Sequence, residues 1–209
     1  MYIRRVIHHP APGKATQLRD AIEQRCKTGN AGGTPHSLTQ RLYTEDVVFV
    51  TAIRHEHLAD IEDYAAAAPN DPVRQAEVAK INECITPPTS SELLEVLVPA
   101  EATGNATYAL RTTYYVGLGK ARDLRQALEK WVRVPRKGIV GAALLQQVAP
   151  PDGATFTTTV TFPSLGGLEE FRTAARGDPA VAAFNAEAAS LQARPATAEL
   201  YRVFVPFGR

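Results

Sequence analysis

The sequence predicts an α+β fold built from two tandem copies of one β-α-β-β-α-β unit. Three observations predict it: an internal repeat that keeps register, strand-like alternation at four places per copy, and helical periodicity between them. Shifted by 106, residues 1–42 meet their partners with 12 identities, among them Tyr2/Tyr108, Arg5/Arg111 and Gly13-Lys14-Ala15/Gly119-Lys120-Ala121. One residue is inserted near Pro150–Ala154, and the shift becomes 107. Residues 49–100 then give 16 identities in 52, including Phe49/Phe156, Asp71-Pro72/Asp178-Pro179 and Pro99/Pro206. Chance similarity has no reason to hold one register across a domain. The copies are 1–100 and 106–209, joined at Ala100–Thr107, a small polar linker containing Gly104 and Asn105.

The elements follow in order. Residues 2–8 alternate around Tyr2, Ile3, Val6 and Ile7, and read as a strand ended by Pro10, Pro12 and Gly13. Lys14–Lys27 reads as a helix, with Leu18, Ile22 and Cys26 on one face. In the second copy Leu124, Leu128 and Trp131 share the corresponding face. Gly29, Gly32 and Gly33 are expected to stop the first of these helices, and Pro135 and Gly138 the second. Ser37–Tyr43 and Val47–Arg54 read as strands across a Thr44-Glu45-Asp46 turn. Ala142–Val148 and Thr155–Phe162 are their copies, across Pro150-Pro151-Asp152-Gly153. A helical region follows and is broken at Asp71-Pro72 and Asp178-Pro179. There the carboxylate suits an N-cap, and proline suits the first helical position because no N–H is needed. One helix should therefore end near Ala68 or Arg176, and the next start after the aspartate. Glu92–Val98 and Glu199–Val205 are the last strands.

This order is that of the ferredoxin-like, split βαβ unit. Its helices cover one sheet face only, so the other face needs a cover, and a second sheet is the natural one. The third strands agree. Phe49, Thr51 and Ile53 alternate with Val48, Val50 and Ala52, and Phe156, Thr158 and Val160 with four threonines. Two tandem ferredoxin-like units with their antiparallel sheets packed face to face are the expected architecture.

Composition excludes more than it selects. Hydrophobic residues are 44% and charged residues 22% of 209, which argues for a globular chain over a disordered one. A net charge of +1 supplies no attraction to nucleic acid or to an anionic membrane. No apolar run approaches the ~18 residues of a membrane span, and the N-terminus has no signal-peptide core. Two distant cysteines, Cys26 and Cys84, fit a reduced, cytoplasmic chain better than a disulfide framework. Arginine outnumbers lysine 17 to 6, the bias of a GC-rich bacterial genome. The expected partners are a small-molecule ligand and, as an open question, a second copy of the chain.

Five residues stand out as candidate ligand contacts. Arg5 and Arg111 occupy matching places on the first strands, where an inward guanidinium would hold a carboxylate or phenolate. The plainer alternative is a pair with an acidic neighbour such as Glu95, or a side chain that simply faces water. Tyr114, Tyr115 and Trp131 belong to the second copy alone, opposite His8, His9 and Arg25. They would line a pocket for an aromatic ligand, or pack the core and its rim. Unequal pockets are expected, with an aromatic ligand in the second half near Arg111. Gln40 and Gln146 match as well, and suit cross-strand hydrogen bonding or an inward amide. His55 and His57 have the spacing of half a metal site, but no further ligand is fixed nearby, so no metal is expected. Haem lacks a well-placed axial histidine, and no cofactor is expected. Gly13-Lys14 and Gly119-Lys120 lack the phosphate-loop spacing and read as turns that start helices. No nucleophile elbow surrounds any serine.

Tyr108-Ala109-Leu110-Arg111-Thr112, Gly119-Lys120 and Leu165–Leu191 with Asp178-Pro179 and Phe184 resemble the NIPSNAP-type branch of the dimeric α+β barrel superfamily. Pro12-Gly13-Lys14 and Leu38–Ile53 resemble its antibiotic-biosynthesis monooxygenase branch. The resemblance implies that the two antiparallel sheets pack into an eight-stranded, pseudo-dimeric α+β barrel, whose two ferredoxin-like units are usually supplied by two chains. It also implies functions ranging from cofactor-free oxygenases and lactone isomerases to haem-degrading enzymes. Two classes of function follow: a cofactor-independent monooxygenase or isomerase of a small aromatic or apolar compound, or a non-catalytic NIPSNAP-like ligand-binding or assembly module. Fold alone does not choose between them.

Overall fold

The computed structural model describes residues 1–101, 103–150 and 154–207. Ala102 of the linker and Pro151, Asp152 and Gly153 of the expected turn lie outside the described residues. The chain runs β1 (Tyr2–His8), α1 (Ala15–Ala31), β2 (His36–Arg41), β3 (Val48–His55), α2 (Leu58–Ala67), a 3-10 turn (Ala68–Asn70), α3 (Pro72–Asn82) and β4 (Ser90–Val98). The same order follows as β5 (Tyr108–Val116), α4 (Ala121–Arg133), β6 (Gly141–Gln147), β7 (Thr155–Phe162), α5 (Leu165–Arg176), α6 (Pro179–Ser190) and β8 (Gln192–Val205). The strands are hydrogen-bonded in the order β1-β3-β2-β8-β5-β7-β6-β4, which closes on itself as an eight-stranded barrel.

Two compact units emerge, Met1–Leu94 with Arg202–Arg209, and Glu95–Tyr201. These limits differ from the 1–100 and 106–209 of the sequence repeat, because the boundaries fall inside β4 and β8. In the first unit Leu18, Ile22 and Cys26 of α1 pack with Leu38 and Phe49. In the second, Leu124, Leu128 and Val132 of α4 pack with Leu144 and Phe156. Each set is the 3.6-residue stripe of a helix laid on one sheet face.

The strand pairing of the two units has the same register. Tyr2 lies opposite His55, and Tyr108 opposite Phe162. Arg5 lies opposite Ala52, and Arg111 opposite Thr159. His36 lies opposite Ile53, and Ala142 opposite Val160. Gly13 and Gly119 adopt φ of +74° and +72°, which glycine reaches without steric cost, and each precedes its helix by two residues. The Asp71 and Asp178 carboxylates cap α3 and α6, accepting from Arg74 N at 2.9 Å and Ala180 N at 2.8 Å.

Two boundaries depart from expectation by more than two residues. Helix α1 runs through Gly29 to Ala31 instead of ending at it. Strand β8 begins at Gln192, seven residues before Glu199. In the first unit that stretch holds Pro87 and Pro88, which have no N–H to give a ladder; in the second, only Pro195.

Candidate functional site

Within the first unit the helix-facing side of the sheet is incompletely filled. A cavity of about 560 Å³ lies there, within the size range of small-molecule sites. Alternation along β1 turns Arg4, Val6 and His8 toward it, and β3 adds Thr51 and Ile53. Helix α1 contributes Ile22, Arg25 and Cys26, α2 contributes Tyr64, and α3 brings Arg74 and Ile81. Much of the wall is aliphatic. Its charged members are guanidiniums, and none of the lining residues is a carboxylate.

The polar side chains form one ordered chain of hydrogen bonds. Glu77 Oε2 accepts from Arg25 Nη1 at 3.0 Å, in an ion pair whose side chains are only 15% and 11% exposed. Arg25 Nη2 donates to Tyr64 Oη at 2.6 Å. His36 Nε2 lies 3.2 Å from the same hydroxyl. His36 Nδ1 lies 2.7 Å from the carbonyl of Thr34. A carbonyl only accepts, so Nδ1 carries the proton and Nε2 of the neutral ring receives the Tyr64 O–H. Asn30 fixes the same residue's backbone, its Oδ1 accepting from His36 N at 2.6 Å and its Nδ2 donating to His36 O at 3.2 Å. The Arg74 guanidinium stacks 3.7 Å from the centroid of the Tyr64 ring.

Gly29 explains why α1 outruns its expected end. A Cβ there would overlap His36 Nδ1, so α1 needs a bare backbone where it passes the ring. Gly29→Ala gains about 1 kcal/mol of helix propensity. It loses ~1–3 kcal/mol to overpacking against a clamped ring. The expected result is a net loss of about 1 kcal/mol in urea denaturation, with the His36 ring resonances displaced. A variant as stable as the parent with unmoved His36 signals would show that the ring has room.

Burial keeps these histidines uncharged. It pushes His8 down to about 4, with neighbouring His9 adding to the effect. His36 is also lowered, chiefly by burial, against the opposing Thr34 hydrogen bond, and further by Arg25 and Arg74. His8 Nε2 meets Thr51 Oγ1 at 3.0 Å. Cys26 is pushed up to about 12 by burial, so its thiol stays protonated and is no nucleophile. Outside Tyr64 lies a second, polar hollow of about 470 Å³ lined by Thr34, Arg54, His55, Asp60 and Asp63. The residue Tyr64 therefore belongs to the walls of both.

None of the five residues singled out in the sequence lines this cavity. Arg5 alternates to the other sheet face from Arg4 and pairs with Glu92 at 3.3 Å, not with Glu95. Arg111 lies 4.3 Å over the Tyr201 ring. Tyr114 is 8% exposed within the second core, its hydroxyl held up from its ordinary pKa mainly by burial. Tyr115 is hydrogen-bonded to Thr197 at 3.1 Å, with Arg194 stacked 3.6 Å over its ring. Trp131 packs against Phe184 at 5.4 Å and Phe171 at 6.4 Å between centroids. The metal reading of His55-x-His57 finds no support: no group of three metal-ligating side chains occurs among the described residues. His57 instead precedes α2, where Asp60 accepts its backbone N–H at 2.8 Å.

The network went unseen because its members are far apart in the chain. A signal was nevertheless present in the repeat. At the 106 and 107 offsets Arg25, Glu77, Tyr64, His36 and His55 correspond to Trp131, Phe184, Phe171, Ala142 and Phe162. The second unit puts aromatic rings at four of these five places and Ala142 at the fifth, where the first carries polar side chains.

No family model and no curated protein matches this sequence. Solved structures do. A candidate monooxygenase from Fusobacterium nucleatum superposes with a TM-score of 0.79 at 9% identity, covering 100% of this chain and 94% of that one. Another from Lactobacillus acidophilus gives 0.70 at 11% identity, over 97% and 93%. An anthrone oxidase-like protein gives 0.64 at 15% identity, over 97% and 90%. Among the described residues no helix is long and apolar enough to cross a membrane. The closed strand order, the twice-repeated element order and these superpositions together give the chain the dimeric α+β barrel fold.

Proposed function

We propose that the cavity of the first unit is the site of a cofactor-independent monooxygenase or isomerase. Its substrate is a small, flat, partly apolar compound held as an oxyanion. One observation carries this reading. The wall combines aliphatic side chains with three guanidiniums and two uncharged imidazoles, and no carboxylate. Such a wall favours the deprotonated form of a phenol, an enol or a carbon acid beside a carbonyl. Fixed positive charge in a water-poor site is worth far more than in solution. Arg25 is largely neutralised by Glu77, whereas Arg4 and Arg74 have no ion-pair partner among the described residues.

The substrate anion supplies the electrons. In oxygenation a CH2 group flanked by unsaturated groups loses two hydrogens and gains one oxygen atom from O2. The second oxygen atom leaves as water. In isomerisation the proton returns to another carbon. In both, this chain binds, orients and stabilises the anion. Descriptions of two superposable proteins as candidate monooxygenases and a third as anthrone oxidase-like favour the oxygenase branch.

The test is oxygen uptake and product analysis with a panel of anthrones, naphthols and hydroxyquinones. Arg74→Met is expected to lower turnover about a hundredfold, the usual effect of losing one anion-stabilising donor. A panel that yields neither oxidation nor isomerisation, or a variant that turns over like the parent, would sink the reading.

A further inference from the structure

We propose that Tyr64 and His36 form a proton relay that takes the acidic proton of the bound compound. The proposal rests on the oxyanion reading above and names where its proton goes. The ligand's O–H or C–H bond breaks as the proton reaches Tyr64 Oη. The phenolic proton of Tyr64 passes in the same event to His36 Nε2. No electron leaves the ligand, so the products are the ligand anion and a His36 imidazolium.

The geometry is already set for that transfer. Tyr64 is a wall of the cavity and points its hydroxyl proton at an acceptor 3.2 Å away. That acceptor is bare because the other ring nitrogen is committed to Thr34 O at 2.7 Å. The same carbonyl holds the imidazolium once it forms. Arg25 Nη2, 2.6 Å from Oη, steadies negative charge on the oxygen in mid-transfer. Gly29 and Asn30 fix the ring, so the transfer requires no rearrangement. His8, the other neutral imidazole of the wall, is unsuited to the task. Its Nδ1 is buried without a partner, so a protonated ring would strand an N–H.

A purely structural account of the Tyr64–His36 pair has a counterexample in the same molecule. The corresponding places in the second unit hold Phe171 and Ala142, and pack with neither hydroxyl nor imidazole. The fold therefore tolerates Phe at this position, which makes Tyr64→Phe a usable variant.

The probe is 4-nitrophenol, coloured only as its anion, added to the full chain at a pH where it is mostly undissociated. The expected result is a bound phenolate band with almost no proton released to buffer, measured by calorimetry in two buffers of different ionisation enthalpy. Histidine labelled with ¹⁵N should show His36 becoming an imidazolium. Tyr64→Phe and His36→Gln should each bind the probe about tenfold more weakly, the low end of a charge-assisted contact. Each should then release one proton per phenolate bound. The permanently ionised 4-nitrobenzoate should bind the parent and both variants alike. One proton released by the parent, an unchanged His36 signal, a probe bound undissociated, or no binding of 4-nitrophenol overturns the relay. If 4-nitrobenzoate binds in those cases, the oxyanion reading stands without the relay. If neither probe binds, both fall.

Discussion

Glu77→Ala is expected to cost the first unit about 3 kcal/mol, at the lower end for breaking a buried ion pair. Both carboxylate oxygens are engaged, Oε2 with Arg25 and Oε1 with the Thr28 hydroxyl at 2.7 Å. Their removal strands a guanidinium that is 15% exposed, with the Tyr64 hydroxyl as its remaining partner. The complementary expectation is that replacing the pair together is far milder. The second unit places Trp131 and Phe184 at the corresponding positions, 5.4 Å apart between centroids. Swapping a buried pair for well-packed apolar groups is often neutral. Arg25→Trp with Glu77→Phe should therefore lie within about 1–2 kcal/mol of the parent, with a coupling energy above ~1 kcal/mol. Urea denaturation followed by far-ultraviolet circular dichroism measures all four corners of the cycle. The double variant should also fill the cavity and abolish probe binding. A single variant losing less than ~1 kcal/mol would mean that Arg25 reaches water and that the network contributes little.

The same pair of positions shows what the sequence carried and what it did not. Strands β1 and β7 coincide with their expected spans, because short alternating runs between turn residues have few other readings. The breaks at Asp71-Pro72 and Asp178-Pro179 are local chemistry and fall where expected. The first missed boundary, the end of α1, depended on a neighbour. Gly29 looks like a stop signal and is in fact the clearance for the His36 ring seven residues on. The cavity and its polar network were not legible for a related reason. The two halves differ at His8/Tyr114 and Arg25/Trp131, and the rings are the more conspicuous members of those pairs. Aromatic residues on a helix face that meets a sheet are ordinary core, and here Phe171 and Phe184 both pack on Trp131. The informative residues were the charged ones at core-facing positions, since buried polar groups need an explanation and buried rings do not. The partners that satisfy them lie 28 to 52 residues away, beyond the reach of periodicity.

Acidification should destabilise the chain through His8 by about 3 kcal/mol, the free energy carried by a histidine pushed from 6.5 to about 4. The sign follows from proton binding. Between about pH 6.5 and pH 4 the unfolded chain holds a proton on His8 and the folded chain does not. Stability therefore rises with pH through that window, is fully present above about 6.5, and is lost as pH falls through about 4. Burial is the main cause and His9 the lesser one. His36 and His55 are lowered as well and add to the loss in the same direction. Asp60, lowered chiefly by the hydrogen bond it accepts from His57 N, carries the same sign at lower pH. His8→Gln isolates one contribution, because the amide reaches toward Thr51 Oγ1 and does not titrate in this range. Urea midpoints measured from pH 7.5 to pH 4.5 should fall steeply for the parent and more gently for the variant. Parallel curves would show that His8 takes up a proton in the folded state at its ordinary pH, and that water reaches its ring. That result would also remove the reason for preferring His36 over His8 as the proton's destination.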